Sequence, residues 1–253
     1  MVADKSGTAG KALGVLVLLG EYPAGATAGQ IARATGYPFS TAYRLLNTLV
    51  DTDFATYDPP EKRFRLGLRV YQLGQKVAHH RGFEGAAAHT LQRLTGKTGE
   101  SSILHVLDGD QSLTIHKVDG PQFRTTTDPG DRVPLHTSAS GKVLLAFADP
   151  ATRRHLLDTI DLKPRTEFSV TDRDELRRQV EQIRTQGWAG QSEENDVGMA
   201  AVALPVLPPS GRLIGTLTLA APVFRTSLED LRSHLPDLRK AAAELALELP
   251  QRS

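Results

Sequence analysis

The stretch TAGQIARATGYPFSTAYRLLNTL, residues 27–49, decides how the rest of the chain is read. Thr27 stands where it can cap a helix running through Gln30, Ile31, Ala32 and Ala34, and Gly36 falls where the turn ending that helix is expected. After Pro38 another helix begins, with Ser40 or Thr41 near its start, and runs to about Asp51. Ala42, Leu45, Leu46, Leu49 and Val50 recur on one face of it at helical spacing, which predicts packing onto the helices before it. The opposite face offers Ser40, Thr41, Arg44 and Asn47. Those side chains suit a DNA groove: Arg holds guanine edges or phosphates, Asn pairs bidentately with adenine, and hydroxyls bond either. Gly36 in the turn makes this a helix-turn-helix with its last helix laid across the first two. Tyr43 lies at the edge of that face, where it stacks on the sugar–phosphate backbone or simply packs.

Polar composition alone allows a second reading equally well, a small helical hairpin whose polar face meets only water. The residues downstream favour the first. Two short strands, Phe54 to Tyr57 and Arg63 to Leu66, are joined by Asp58-Pro59-Pro60, as a wing would be. Lys62, Arg63 and Arg65 lie on it and Arg69 follows, with Glu61 read as the one nearby acid. A basic wing reaches phosphates beside the groove. Thr27, Ser40, Thr41, Tyr43, Arg44, Asn47, Lys62, Arg63 and Arg65 are the candidate DNA contacts.

Upstream, the first dozen residues read as frayed, and Lys11 to Gly20 as a short buried helix. Downstream, Gly67 to about Leu94 reads as an amphipathic linker helix on the spacing of Leu68, Tyr71, Leu73, Val77 and Ala78, weakened by Gly74, Gly82 and Gly85. Beyond Gly99 the pattern alternates like strands: 101–107 and 112–118 around the tight turn Asp108-Gly109-Asp110, then 200–207 and 212–220 around Pro208-Pro209-Ser210-Gly211. Helices are expected at 140–147, 151–157 and 172–186. A last helix opens on a capping-box-like Ser227 and Asp230, reaches Leu249, and is interrupted at Pro236.

The 253 residues suffice for two domains, and 40% hydrophobic with 23% charged residues is ordinary for a soluble protein. A net charge of +1 excludes a protein coated in cations but permits a local basic face. The absence of cysteine removes disulfides, Cys-ligated zinc, iron–sulfur clusters and thiol nucleophiles. The apolar run Ala12 to Leu19 is far short of a span of roughly 20 residues and lacks signal-peptide flanks, so a cytoplasmic location without membrane contact is expected.

Residues 27–49, LHTSASGKVLLA at 135–146, and GMAAVALPV at 198–206 followed by GTLTLAAP at 215–222 together resemble the IclR family of bacterial regulators, in its order and spacing. The resemblance implies an α+β chain: a winged helix-turn-helix (1–73), a linker helix (74–94) and a GAF-like effector-binding domain with a central antiparallel sheet (95–253). It also implies dimers or dimers of dimers on double-stranded operator DNA. The chain departs from the family at Lys11, where the first helix commonly opens on an Arg; the charge is kept and the bidentate fork is lost.

The segment 137–142 admits chemical readings that fail. Ser-Gly-Lys is not a phosphate loop, since His136 stands where a Gly is required and Val143 where a Ser or Thr is. Ser138 and Ser140 sit in no nucleophile motif, and His136 beside them is adjacent only in sequence. Small residues from Thr137 to Gly141 instead start a helix whose free amides can face a carboxylate. The resemblance places that loop (Thr137, Ser138, Ala139, Ser140, Gly141) at the pocket of a small-molecule effector, with Ala201, Thr218 and Ala220 on facing strands. Two alanines in three predict an apolar wall and a hydrophobic or aromatic acid, although Thr218 is equally an ordinary strand residue. The acidic run Glu193, Glu194, Asn195, Asp196 reads as a solvated loop rather than a cation site or gate. His79, His80 and His89 do not read as a metal site, and Trp188 reads as core at the start of a strand. The expectation is a ligand-responsive regulator, a repressor before an activator, without catalysis, cofactor or metal. Its rivals are a small-molecule enzyme or stand-alone sensor on the C-terminal fold, and an oligomeric scaffold with a basic wing for acidic protein.

Overall fold

Capping residues set where the N-terminal helices begin and end. Helix α1 covers Thr8–Gly20, α2 Ala28–Thr35 and α3 Phe39–Asp51. Thr27 caps α2 in a complete capping box: its hydroxyl accepts from the Gln30 amide while the Gln30 side chain accepts from the Thr27 amide. Gly36 ends α2 at φ 74°, a left-handed position where a Cβ would be strained. Strands β1 (Ala55–Asp58) and β2 (Arg63–Leu66) pair antiparallel, from Ala55↔Leu66 to Asp58↔Arg63. Phe64 ties this wing to the residue before the α2 cap by two backbone hydrogen bonds with Ala26. Val15, Leu19, Ile31, Ala42, Leu45, Leu46, Leu49 and Phe64 form the shared core. Two expectations change at the N-terminus: α1 begins at Thr8 rather than Lys11, and it exposes Leu13 instead of burying it.

The structure, a computed structural model, describes residues 7–80 and 85–249 and divides into two units, 1–78 and 79–253. Helix α4 spans Leu68–His80 and α5 spans Ala86–Thr98. On α4, Leu68, Tyr71, Leu73 and Val77 are exposed. On α5, Ala87, Leu91 and Leu94 are buried in the C-terminal core, so the second half of the stretch read as linker is a core helix. Gly85 precedes α5 at φ 79°; Gly82 and the side chains of His79 and His80 lie outside the described residues, as do residues 1–6.

The C-terminal unit continues with β3 (Ser101–Asp108), β4 (Gln111–Val118), β5 (Arg132–Pro134), α6 (Ala139–Phe147), α7 (Pro150–Thr159), α8 (Arg173–Gln186), β6 (Ala189–Ser192), β7 (Met199–Val206), β8 (Gly215–Pro222), α9 (Leu228–Ser233) and α10 (Leu235–Glu248). One six-stranded sheet runs β5-β4-β3-β8-β7-β6, antiparallel throughout. The last helix is broken at His234, with Pro236 in the first turn of α10, because a proline there needs no amide partner.

Strand periodicity explains why the sheet has two unlike faces. On β7 and β8, Ala200, Val202, Leu204, Leu217, Leu219 and Ala221 face α5 and α10. The alternate residues Ala201, Ala203 and Ala220 face α6 and α8, with Thr216 and Thr218 in the same register. Large side chains fill the first face; small ones leave room on the second.

Candidate functional site

In the N-terminal unit the α3 face opposite the core is built as expected. Ala42, Leu45, Leu46 and Leu49 are buried, Val50 is half-buried, Ser40, Tyr43 and Arg44 are exposed, and Thr41 and Asn47 are half-buried. Among the described residues no hydrogen bond or ion pair engages the side chains of Ser40, Thr41, Arg44, Asn47 or Lys62. Tyr43 stacks on Phe39, which is 60% exposed at the start of α3, and meets Phe64 edge-on. The wing cations are less available. Arg65 pairs with both Asp58 and Glu61, so Glu61 is not the one nearby acid, and Arg63 donates to the Gly25 carbonyl at 2.7 Å. Thr27 spends its hydroxyl on the capping box. Lys11 lies 5.5 Å from the centre of the Tyr37 ring.

In the C-terminal unit a cavity of about 530 Å³, counting its open mouth, lies between the small-residue face of the sheet and the start of α6. Ile103, His105, Ala201, Thr218 and Ala220 form its floor, and Ser138, Ala139 and Ser140 its α6 side. Thr125–Thr127, Val133, Gln191, Met199, Ala200 and the turn at Asn195 and Asp196 complete the wall. Six of the eight residues expected at the pocket are therefore together. Thr137 and Gly141 are not: Thr137 is buried and bonds Asn195 Oδ1 at 2.9 Å, and Gly141 is packed against Leu135. Ser138 caps α6, accepting from the Gly141 amide at 3.0 Å and donating to the Pro134 carbonyl. The first-turn amides of Ala139 and Ser140 remain for a ligand. His136 bonds the Lys163 carbonyl at 3.0 Å, which removes it as a base for the serines.

Gly141 has a clear reason to be glycine. A Cβ there would lie 2.4 Å from Leu135 Cα and 2.6 Å from its carbonyl oxygen, both backbone atoms. Gly141→Ala is expected to push the start of α6 outward and to cost about 1–3 kcal/mol. Urea unfolding measures it; an unchanged midpoint would show that the packing yields.

The acidic run is a clamped turn, not a solvated loop. Lys142, with its side chain 2% exposed, donates to both carboxylate oxygens of Glu194 at 2.6 and 2.7 Å. Burial pushes the Lys142 pKa down and the Glu194 pKa up, and the attraction between the two groups opposes both shifts. Glu193 accepts from the Gly198 amide, and Arg165 bonds the Asn195 carbonyl and Asp196. Thr166 and Ser169 donate to the Glu193 and Glu194 carbonyls. Beside the cavity mouth a polar recess of about 480 Å³ adds Arg132, Arg165 and Asp131.

Sequence reading missed the segment between β4 and β5, which brings Thr125–Thr127 over the cavity. Its anchor is Lys117, a half-buried residue whose side chain is 5% exposed and bonds Asp119, Asp128 and the Thr125 carbonyl, while Asp119 accepts from Thr125. It also missed His105. Burial pushes that imidazole from 6.5 to about 3, so it is neutral in the folded protein. The unfolded chain takes up the proton below its ordinary value, so this contribution to stability is present above about pH 6.5 and is lost as pH falls. Between pH 7 and 5 the loss from this group is about 2 kcal/mol. His105→Gln is expected to reduce the fall in unfolding free energy over that interval by the same amount; equal falls in both proteins would contradict the burial argument.

A winged helix-turn-helix followed by a sheet domain with a cavity against its small-residue face is the layout of a ligand-responsive transcriptional regulator. Residues 8–59 match the model of the IclR helix-turn-helix domain, and residues 75–247 that of the bacterial transcriptional regulator IclR C-terminal domain. The chain belongs to the IclR family, whose members are transcriptional regulators rather than enzymes. SauR of Cupriavidus necator is 32% identical over 216 residues, covering 85% of this chain and 86% of that protein. The Thermotoga maritima IclR crystal structure superposes with a TM-score of 0.76 at 26% identity, covering 95% and 98% of the two chains. An IclR homolog of Microbacterium hydrocarbonoxydans, complexed with 4-hydroxybenzoate, gives a TM-score of 0.78 at 23% identity over 94% and 98%, a likeness that speaks for the fold alone. No helix among the described residues is long and apolar enough to cross a membrane.

Proposed function

We propose that this regulator is a repressor that reads double-stranded operator DNA and is controlled by a small carboxylate-bearing metabolite. Ser40, Thr41, Tyr43, Arg44 and Asn47 of α3 enter the groove, and Lys62 on the wing meets phosphate, joined by Arg63 and Arg65 once they leave their internal partners. Ser138, Ala139, Ser140, Ala201, Thr218 and Ala220 hold the effector. The observation that carries the reading is the cavity: an apolar floor of Ile103, Ala201 and Ala220 facing the first turn of α6. That pairing suits an acid with an apolar body, its carboxylate at the helix N-terminus. The 4-hydroxybenzoate of the Microbacterium homolog is an acid of that kind. The chain acts in the cytoplasm as a homodimer or dimer of dimers, and the exposed apolar residues along α4 support self-association.

Binding favours one arrangement of the linker helices because the effector has different affinity for the two, and this changes the separation of two DNA-reading heads. Titrating small monocarboxylates into the full-length chain on its operator tests the reading. An effector is expected to weaken DNA binding by about 5–150-fold. Turnover of the acid, unaffected by DNA, would instead mark an enzyme.

A further inference from the structure

Resting on that reading of the cavity, we propose that His105 selects the effector, hydrogen-bonding an uncharged hydroxyl on a monoanionic acid whose carboxylate faces the start of α6. His105 sits where the β3–β4 register slips between Leu104 and His105. The extra residue is Ile115 of β4, opposite the Leu104–His105 step, and bulges are common beside functional sites. The residue is 3% exposed, yet it lines the cavity. The single hydrogen-bond contact of its side chain among the described residues is Nδ1 to Thr218 Oγ1 at 3.4 Å, the outer limit of such a bond, and Nε2 has no partner there.

The neighbours in the sheet share this shortage. Register places Thr114 of β4 and Thr216 of β8 directly beside His105, and both hydroxyls are buried without a partner. Three adjacent strands thus carry unmet hydrogen-bonding capacity at one depth. Buried polar groups are costly when unpaired, so His105, the one of the three that lines the cavity, points to a ligand group that completes it.

The chemistry of the site limits that group. A neutral imidazole offers one donor and one acceptor but no charge. Ile103, Ala201 and Ala220 around it offer no hydrogen bond from their side chains, and the nearby buried charges Lys142 and Glu194 satisfy each other. A second carboxylate at this depth would be buried without a countercharge. A hydroxyl fits, and a site built for it disfavours the acid lacking it.

The test measures binding of benzoate, 3-hydroxybenzoate, 4-hydroxybenzoate and terephthalate to the full-length chain by calorimetry. A hydroxybenzoate is expected to bind about tenfold more tightly than benzoate, with terephthalate weakest. His105→Phe should bring the hydroxybenzoate-to-benzoate ratio to about one, and His105→Gln, which keeps a neutral donor and acceptor, should retain most of it. The four-acid comparison on the unaltered chain requires no variant to fold. Equal affinity for all four acids, or a preference that survives His105→Phe, overturns the proposal while leaving the cavity as the effector site. Binding of none of them overturns the ligand class assigned here. A preference that follows His105 without any change in operator affinity upholds the selection and instead counts against the regulatory reading of the cavity.

Discussion

Arg44→Ala is expected to abolish operator binding at moderate salt while leaving the fold intact. The two halves of that expectation rest on opposite faces of α3. Ala42, Leu45, Leu46 and Leu49 hold the helix in the core, so truncating an exposed residue on the other side should change stability by no more than about 0.5 kcal/mol. Arg44 has no intramolecular partner among the described residues to hold it back from DNA. A bidentate Arg–guanine contact carries about 1–3 kcal/mol of discrimination, so each head should lose about 5–150-fold in affinity. Electrophoretic mobility shift of the variant, beside a thermal melt, checks both halves. Undiminished operator affinity would mean that α3 is not the reading element. The wing is expected to matter less per residue, because Arg63 and Arg65 must first leave Gly25, Asp58 and Glu61.

Lys142→Ala should be the most destabilising single change in the C-terminal unit. Removing the ammonium leaves Glu194 in a half-closed site with no cation, and breaking a buried pair in this way costs about 3–5 kcal/mol. The loss is not local to α6. Glu194 lies in the turn that brings Asn195 and Asp196 to the cavity mouth, so ligand binding should fall with stability. The double change Lys142→Met with Glu194→Leu removes both charges and should recover most of the loss, since apolar replacement of a whole buried pair is commonly neutral or stabilising. Urea denaturation of the single and double variants forms the cycle. A double variant as unstable as the single would show that packing, not the unpaired charge, sets the cost.

What could be read in advance was what short-range chemistry dictates. Thr27, Gly36 and the Pro38 boundary mark the helix-turn-helix because caps and turns involve residues within four positions of each other. Strands β3, β4, β7 and β8 follow from alternation and their turns, whereas the three residues of β5 are too few to show a period, and Pro236 follows from its missing amide. The contacts that build the cavity wall are long-range instead. Lys142 and Glu194 stand 52 residues apart, so an acidic run that looked solvated is in fact clamped. Lys117 organises the segment over the cavity through Asp128 and the Thr125 carbonyl, a pattern with no periodicity to announce it. Alternation gave His105 an orientation relative to its strand neighbours but could not say which face held the empty space. The linker spacing rests on residues 68–78 alone, and the sheet that buries Ala87, Leu91 and Leu94 of α5 lies later in the chain.

The most direct test of the account is the relative affinity of the full-length chain for duplexes drawn from a random pool. The account predicts enrichment of one sequence, bound at least about 10³-fold more tightly than unrelated duplex. That affinity should fall steeply with salt, and Arg44→Ala should remove the preference. Equal affinity for every duplex would contradict it.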